Sequence, residues 1–155
     1  VGQKKQLNKV SKKNNFDINI FKKTRIFKRT SLFSKIKYER LVSENIVNNE
    51  MLRFGGAESI RGFIDESLMT NEYFLLRNNI NFNLNNNFSL LGIIDYANYK
   101  NAILNSMKNI YSLGFGFKFL NDDNLISLNY ASGSDFNQNF SFKNARLSIN
   151  FVSFF

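Results

Sequence analysis

An alternation of apolar and polar side chains, running from residue 73 to the last residue, constrains this chain more than anything else in it. Phe74, Leu76, Ile80, Phe82 and Leu84 share one parity, and Tyr73, Arg77, Asn79, Asn81 and Asn83 share the other. Phe88, Leu90, Gly92, Ile94 and Tyr96 then oppose Ser89, Leu91, Ile93, Asp95 and Ala97. Tyr111, Leu113, Phe115, Phe117 and Phe119 form the cleanest apolar edge, against Ser112, Gly114, Gly116 and Lys118. Ile126, Leu128 and Tyr130 oppose Ser127, Asn129 and Ala131, and Leu147, Ile149, Phe151 and Phe155 close the chain opposite Arg146, Ser148 and Asn150. Successive side chains leave a strand on opposite faces, so a period of two predicts strands. Five of them, each of about ten residues, are expected after Phe63.

The connections sharpen this. Asn85-Asn86-Asn87 and Asn121-Asp122-Asp123-Asn124 have the character of tight turns. Residues 98–109 and 133–142 read as longer loops. A soluble sandwich also alternates, but its loops need not alternate short and long. An outer-membrane barrel has strands of this length, an apolar outer face, a polar lumen, short periplasmic turns and long outer loops. Tyr73, Tyr99, Tyr111 and Tyr130, near strand ends, suit its aromatic girdles. The pattern favours an all-β, antiparallel transmembrane β-barrel over a soluble β-domain.

Upstream the signal is weaker. Residues 1–15 are polar and lysine-rich (Lys4, Lys5, Lys9, Lys12, Lys13) and read as a lead-in or the end of an earlier strand. Phe16, Ile18 and Ile20 alternate with Asp17 and Asn19, a strand pattern. Leu32, Ile36 and Tyr38 oppose Lys35, Lys37 and Glu39, a second strand, although a helix over 20–40 is an alternative. About seven strands are thus expected over residues 16–155. Such a sheet would leave two open edges in lipid, so the chain is expected to be a fragment or to be completed by another chain. An opening without Met points to a processed or truncated product.

Composition removes whole classes of chemistry. With no Cys and no His there is no disulfide framework, no thiolate metal site and no Ser-His-Asp triad. Asp65-Glu66 and Asp122-Asp123 are adjacent loop carboxylates, poorly placed to face one substrate, so no enzyme and no cofactor are expected. Residues 1–40 hold 13 Lys/Arg against 2 Asp/Glu, a net of +11 on a chain of net +9. That arm suits nucleic acid, an anionic membrane surface or a solvated charged face.

One stretch stands apart: Leu52-Arg-Phe-Gly-Gly-Ala-Glu-Ser-Ile-Arg-Gly-Phe63. Glycine is needed where φ is positive or where another chain passes closely. Gly55, Gly56 and Gly62 around Arg61 and Phe63 therefore read as a long structured loop, over about residues 50–70, folded against something. An ordinary hairpin loop with a solvated arginine would share the spacing.

This loop, the five strands after it and the terminal Phe155 together resemble the C-terminal barrel of the BamA/TamA superfamily, over residues 45–155 well and 14–44 loosely. The resemblance implies the Gram-negative outer membrane and a barrel of about 16 strands, with the remaining strands and periplasmic repeats elsewhere. It implies a loop folded into the lumen, with Arg61 paired to an acidic strand residue. Ile93-Ile94-Asp95-Tyr96-Ala97 looks like the acidic strand motif, which makes Asp95 the first choice. A carboxylate on the polar face can accept two parallel bonds from a guanidinium. Where many relatives carry a glutamate, this chain has Asn79; Arg77, Asn79 and Lys118 are candidate secondary lumen contacts. Phe151 and Phe155 look like a terminal assembly signal, or a last lipid-facing strand. The implied function is non-enzymatic: assembly, insertion or translocation of polypeptides, by lateral seam opening and strand templating. A secretion transporter or an enzyme-fused barrel is the alternative, and a soluble nucleic-acid-binding β-domain a weaker one. Implied partners are outer-membrane lipid and lipopolysaccharide, client outer-membrane or secreted proteins and accessory lipoproteins, with no nucleic acid.

Overall fold

The computed structural model describes residues 13–43, 48–101 and 105–154. Seven long strands follow one another in space in chain order: β1 (Lys13–Phe27), β2 (Thr30–Ser43), β4 (Leu68–Asn83), β5 (Phe88–Asn101), β6 (Ser106–Leu120), β7 (Asn124–Asp135) and β8 (Arg146–Ser153). The short β3 (Leu52–Phe54) lies inside the loop between β2 and β4 and pairs with β4. All pairings are antiparallel, with each strand hydrogen-bonded to the next. This is the all-β architecture of part of a β-barrel.

Several boundaries move from their expected places. Residues 13–15 belong to β1, while residues 1–12 lie outside the described residues. Residues 20–40 are strand, not helix, and β1 runs on through Phe27 to a two-residue turn. Residues 98–101 and 106–109 are not loop but the paired ends of β5 and β6, from Asn98↔Asn109 to Asn101↔Ser106. Polar side chains there hid a strand, because ladder bonds come from the backbone and continue wherever two strands stay side by side. Residues 133–135 likewise finish β7 instead of starting a loop.

The register fixes which face each side chain takes. Lys35, Arg77, Asp95, Ser112 and Gly133 form one row across β2, β4, β5, β6 and β7. This inner face receives the loop that contains β3. The outer face exposes Ile80, Phe82, Ile94, Phe115, Phe117, Ile149 and Phe151, as a surface solvated by lipid does. Tyr111 and Tyr130 lie on the outer side, beside Phe136, Phe140 and Phe142.

Tyr73 and Tyr99 do not join a girdle. They are 3% and 5% exposed and grip Phe54 from inside, one stacked at 4.5 Å and one edge-on at 5.1 Å between ring centroids. Their parity, shared with Arg77 and Asp95, is the physical reason. With Ile60, Leu75, Ala97 and Ile110 they make an apolar core on the inner face. Each large side chain buried there contributes roughly 1.5–3 kcal/mol, and the cluster clamps the base of the loop to β4–β6.

Candidate functional site

Local backbone chemistry shapes the loop before any long-range contact does. Gly55 and Gly56 have φ of 117° and 90°, a region that side chains with a Cβ avoid. They reverse the chain, and Gly56 donates to the Ile60 carbonyl at 3.0 Å. Asp65 Oδ1 accepts from the Ala57 amide at 3.2 Å and ties the outgoing limb to the incoming one. Ile60 is completely buried, which fixes the neighbouring Arg61 against the wall.

At the tip, the Arg61 guanidinium meets the Asp95 carboxylate side-on. Nε donates to Oδ2 at 2.7 Å and Nη2 to Oδ1 at 2.5 Å, two parallel bonds. The Arg61 backbone amide adds a third to Oδ2 at 3.2 Å. Nη1 donates to Asn79 Oδ1 at 2.5 Å, and Nη2 also reaches the Asn78 carbonyl at 3.3 Å. Four of the five guanidinium donors are thereby used. The side chains are 4% and 0% exposed, so neither charge is screened by bulk water. Such a pair is costly to bury and far costlier to break.

The wall is cut to fit the tip. Gly62, at φ 81°, presses on the Ser132–Gly133 backbone, and a Cβ on Gly133 would strike the ring of Phe63. Two further ties act at a distance from the tip. Arg77 Nη2 donates to the Ala57 carbonyl at 2.8 Å, and Asn150 Nδ2 on β8 donates to Glu58 Oε1 at 3.2 Å.

The structure therefore gathers Gly55, Gly56, Arg61, Gly62, Phe63, Asp95 and Asn79 into one contact set, with Arg77 bonded to the loop instead of to the arginine pair. Asn79 occupies a position where a carboxylate could sit, and its amide oxygen accepts from Arg61 without adding charge. Lys118 shares a cavity of about 300 Å³ with Arg61 but bonds to nothing among the described residues. Phe151 stands on the outer face at 63% exposure, and Phe155 lies outside the described residues. Sequence reasoning missed Ala57, Glu58, Ser132 and Gly133. The parity of Asn129 and Ala131, continued two residues on, places Gly133 on the inner wall.

Strand pattern, lipid-type outer face and inner-face loop together define part of an outer-membrane β-barrel. The family model described as haemolysin secretion/activation protein ShlB/FhaC/HecB matches residues 2–119, and the chain belongs to that family. The match spans the whole loop, Arg61 and Asp95. It sets the chain in the Gram-negative outer membrane among transporters with client proteins; it does not single out the BamA/TamA assembly members. No individual curated protein matches the sequence.

Proposed function

We propose that the chain forms part of a barrel that passes an unfolded client polypeptide across the outer membrane, with the loop of residues 52–67 braced in the lumen by Arg61 and Asp95. The mechanism is non-covalent: the loop's position sets the free width of the passage, and no bond in the client is made or broken. The observation that carries this is the two-pronged, buried Arg61–Asp95 pair in a chain of the secretion family. A buried pair with four of its five guanidinium donors engaged holds one loop position and rejects neighbouring ones. The short turns at residues 28–29, 84–87 and 121–123 mark the periplasmic end. Lipid, lipopolysaccharide, periplasmic repeats and accessory lipoproteins complete the proposed setting.

The test is secretion of a co-expressed client by the full-length protein carrying Arg61→Ala, Asp95→Ala or Arg61→Lys. All three are expected to lower the secreted fraction, Arg61→Lys included, because an ammonium cannot donate in parallel. Full secretion together with unchanged migration on unboiled gels would sink the proposal.

A second reading is insertion of barrels by strand templating at a sheet edge. Under it the same variants would leave secretion intact and lower the level of folded outer-membrane proteins.

A further inference from the structure

The inner face carries more cations than it neutralises, and they are not spread evenly. Near the loop two are met by carboxylates, Arg61 by Asp95 and Lys37 by Glu39 at 2.7 Å, and Arg77 is met by the Ala57 carbonyl at 2.8 Å. At the short-turn end Lys23, Lys28, Arg29 and Lys118 surround a cavity of about 460 Å³ in which no acidic side chain takes part. None of the four makes an ion pair among the described residues. They come from different places in the chain: Lys23 from β1, Lys28 and Arg29 from the β1–β2 turn, Lys118 from β6. The rest of the lining is mostly amide and hydroxyl, five asparagines and two serines, with Leu84 and Leu120.

From this arrangement we propose that the short-turn mouth is a receiving site for aspartate- and glutamate-bearing segments of the exported polypeptide. The inference rests on the translocation reading above. Like charges around one cavity repel, and a carboxylate between them relieves that repulsion. Carboxamide side chains both donate and accept, which is what an extended peptide backbone requires when it leaves water. Lys23 and Lys118 lie on the inner face, away from the apolar outer surface, so the ligand arrives through the lumen and not from the lipid side. A field of one sign at a cleft mouth also raises the encounter rate of an oppositely charged chain.

The experiment uses the full-length protein purified in detergent and a fluorescent aspartate-rich peptide, with the asparagine version of that peptide as reference. Binding is expected for the aspartate peptide, weakening steeply with salt. Replacing all four cations with glutamine is expected to weaken it by about tenfold or more. Lys28→Gln with Arg29→Gln touches a turn alone and keeps the test open if the fourfold variant does not fold; a several-fold weakening is expected. Equal affinity for both peptides, or affinity unchanged in the variants, overturns the proposal. So does a result in which the variants lose anionic phospholipid while still binding the peptide. Scoring secretion separates the failures. If Arg61→Ala stops secretion while the mouth variants neither bind less peptide nor secrete less, the receiving site falls and translocation stands. If no luminal variant changes secretion, translocation falls and takes the receiving site with it.

Discussion

The inner wall has two unlike halves. Where the loop tip lies, β5–β7 present small side chains, Ala97, Ser112, Gly114, Ala131 and Gly133, between larger ones such as Ile93 and Ile110, and Ala97, Ser112 and Ala131 are fully covered. Across β1 and β2 it carries Asp17, Asn19, Phe21, Lys23, Lys35, Lys37 and Glu39, and every described side chain of β1 is exposed. The loop lies where the wall is thin. Volume decides where it can lie, and the Arg61–Asp95 pair decides the one position it takes within that space. Bulk or a lost charge on the thin half should therefore disturb loop docking, and changes on exposed β1 should not.

The comparison can be broken most forcefully at the pair. Arg61→Ala leaves Asp95 buried without a cation and is expected to weaken loop docking by about 3–5 kcal/mol. Faster proteolysis within residues 55–67 and loss of heat-resistant migration would report it; a protected loop would show that the apolar cluster around Phe54 suffices. Next comes the thin wall itself. Gly133→Val puts a branched side chain where the Phe63 ring sits, at an expected expense of about 1–3 kcal/mol. Urea unfolding in lipid vesicles measures this, and Phe63→Ala in the same chain should restore part of the loss. Arg77→Met removes one bond to the Ala57 carbonyl, worth about 1–2 kcal/mol because the donor is charged. The same unfolding experiment checks it, and an effect as large as that of Arg61→Ala would mean that Arg77 also serves the pair. Smallest is Asn19→Ser on exposed β1, expected to stay within about 0.5 kcal/mol. A larger change there would show that the two halves are not independent.

Much of this was legible in the residues. The period of two gave seven strands, and parity put Arg77, Asp95 and Ser112 on one face before any pairing was known. The three glycines around Arg61 announced backbone that other residues resist, and all three have positive φ. Strand ends were not legible, because residues 98–101 and 106–109 are polar where they leave the apolar belt yet remain in the ladder. Tyr73 and Tyr99 misled for a related reason: residue type suggested an interface, whereas their parity already pointed inward.

What the sequence by itself determined is local and periodic: strand positions, the two faces, the turn residues and the loop that must bend back. Those follow from side-chain alternation and φ preference, which each residue carries with it. Register between strands, and so the meeting of residue 61 with residues 79 and 95, was decided by tertiary structure alone. The same holds for Gly133 beneath Phe63 and for four scattered cations facing one cavity. These are distances between residues far apart in the chain, and distance across a sheet depends on how many strands lie between and how they are staggered, which no single stretch of sequence encodes.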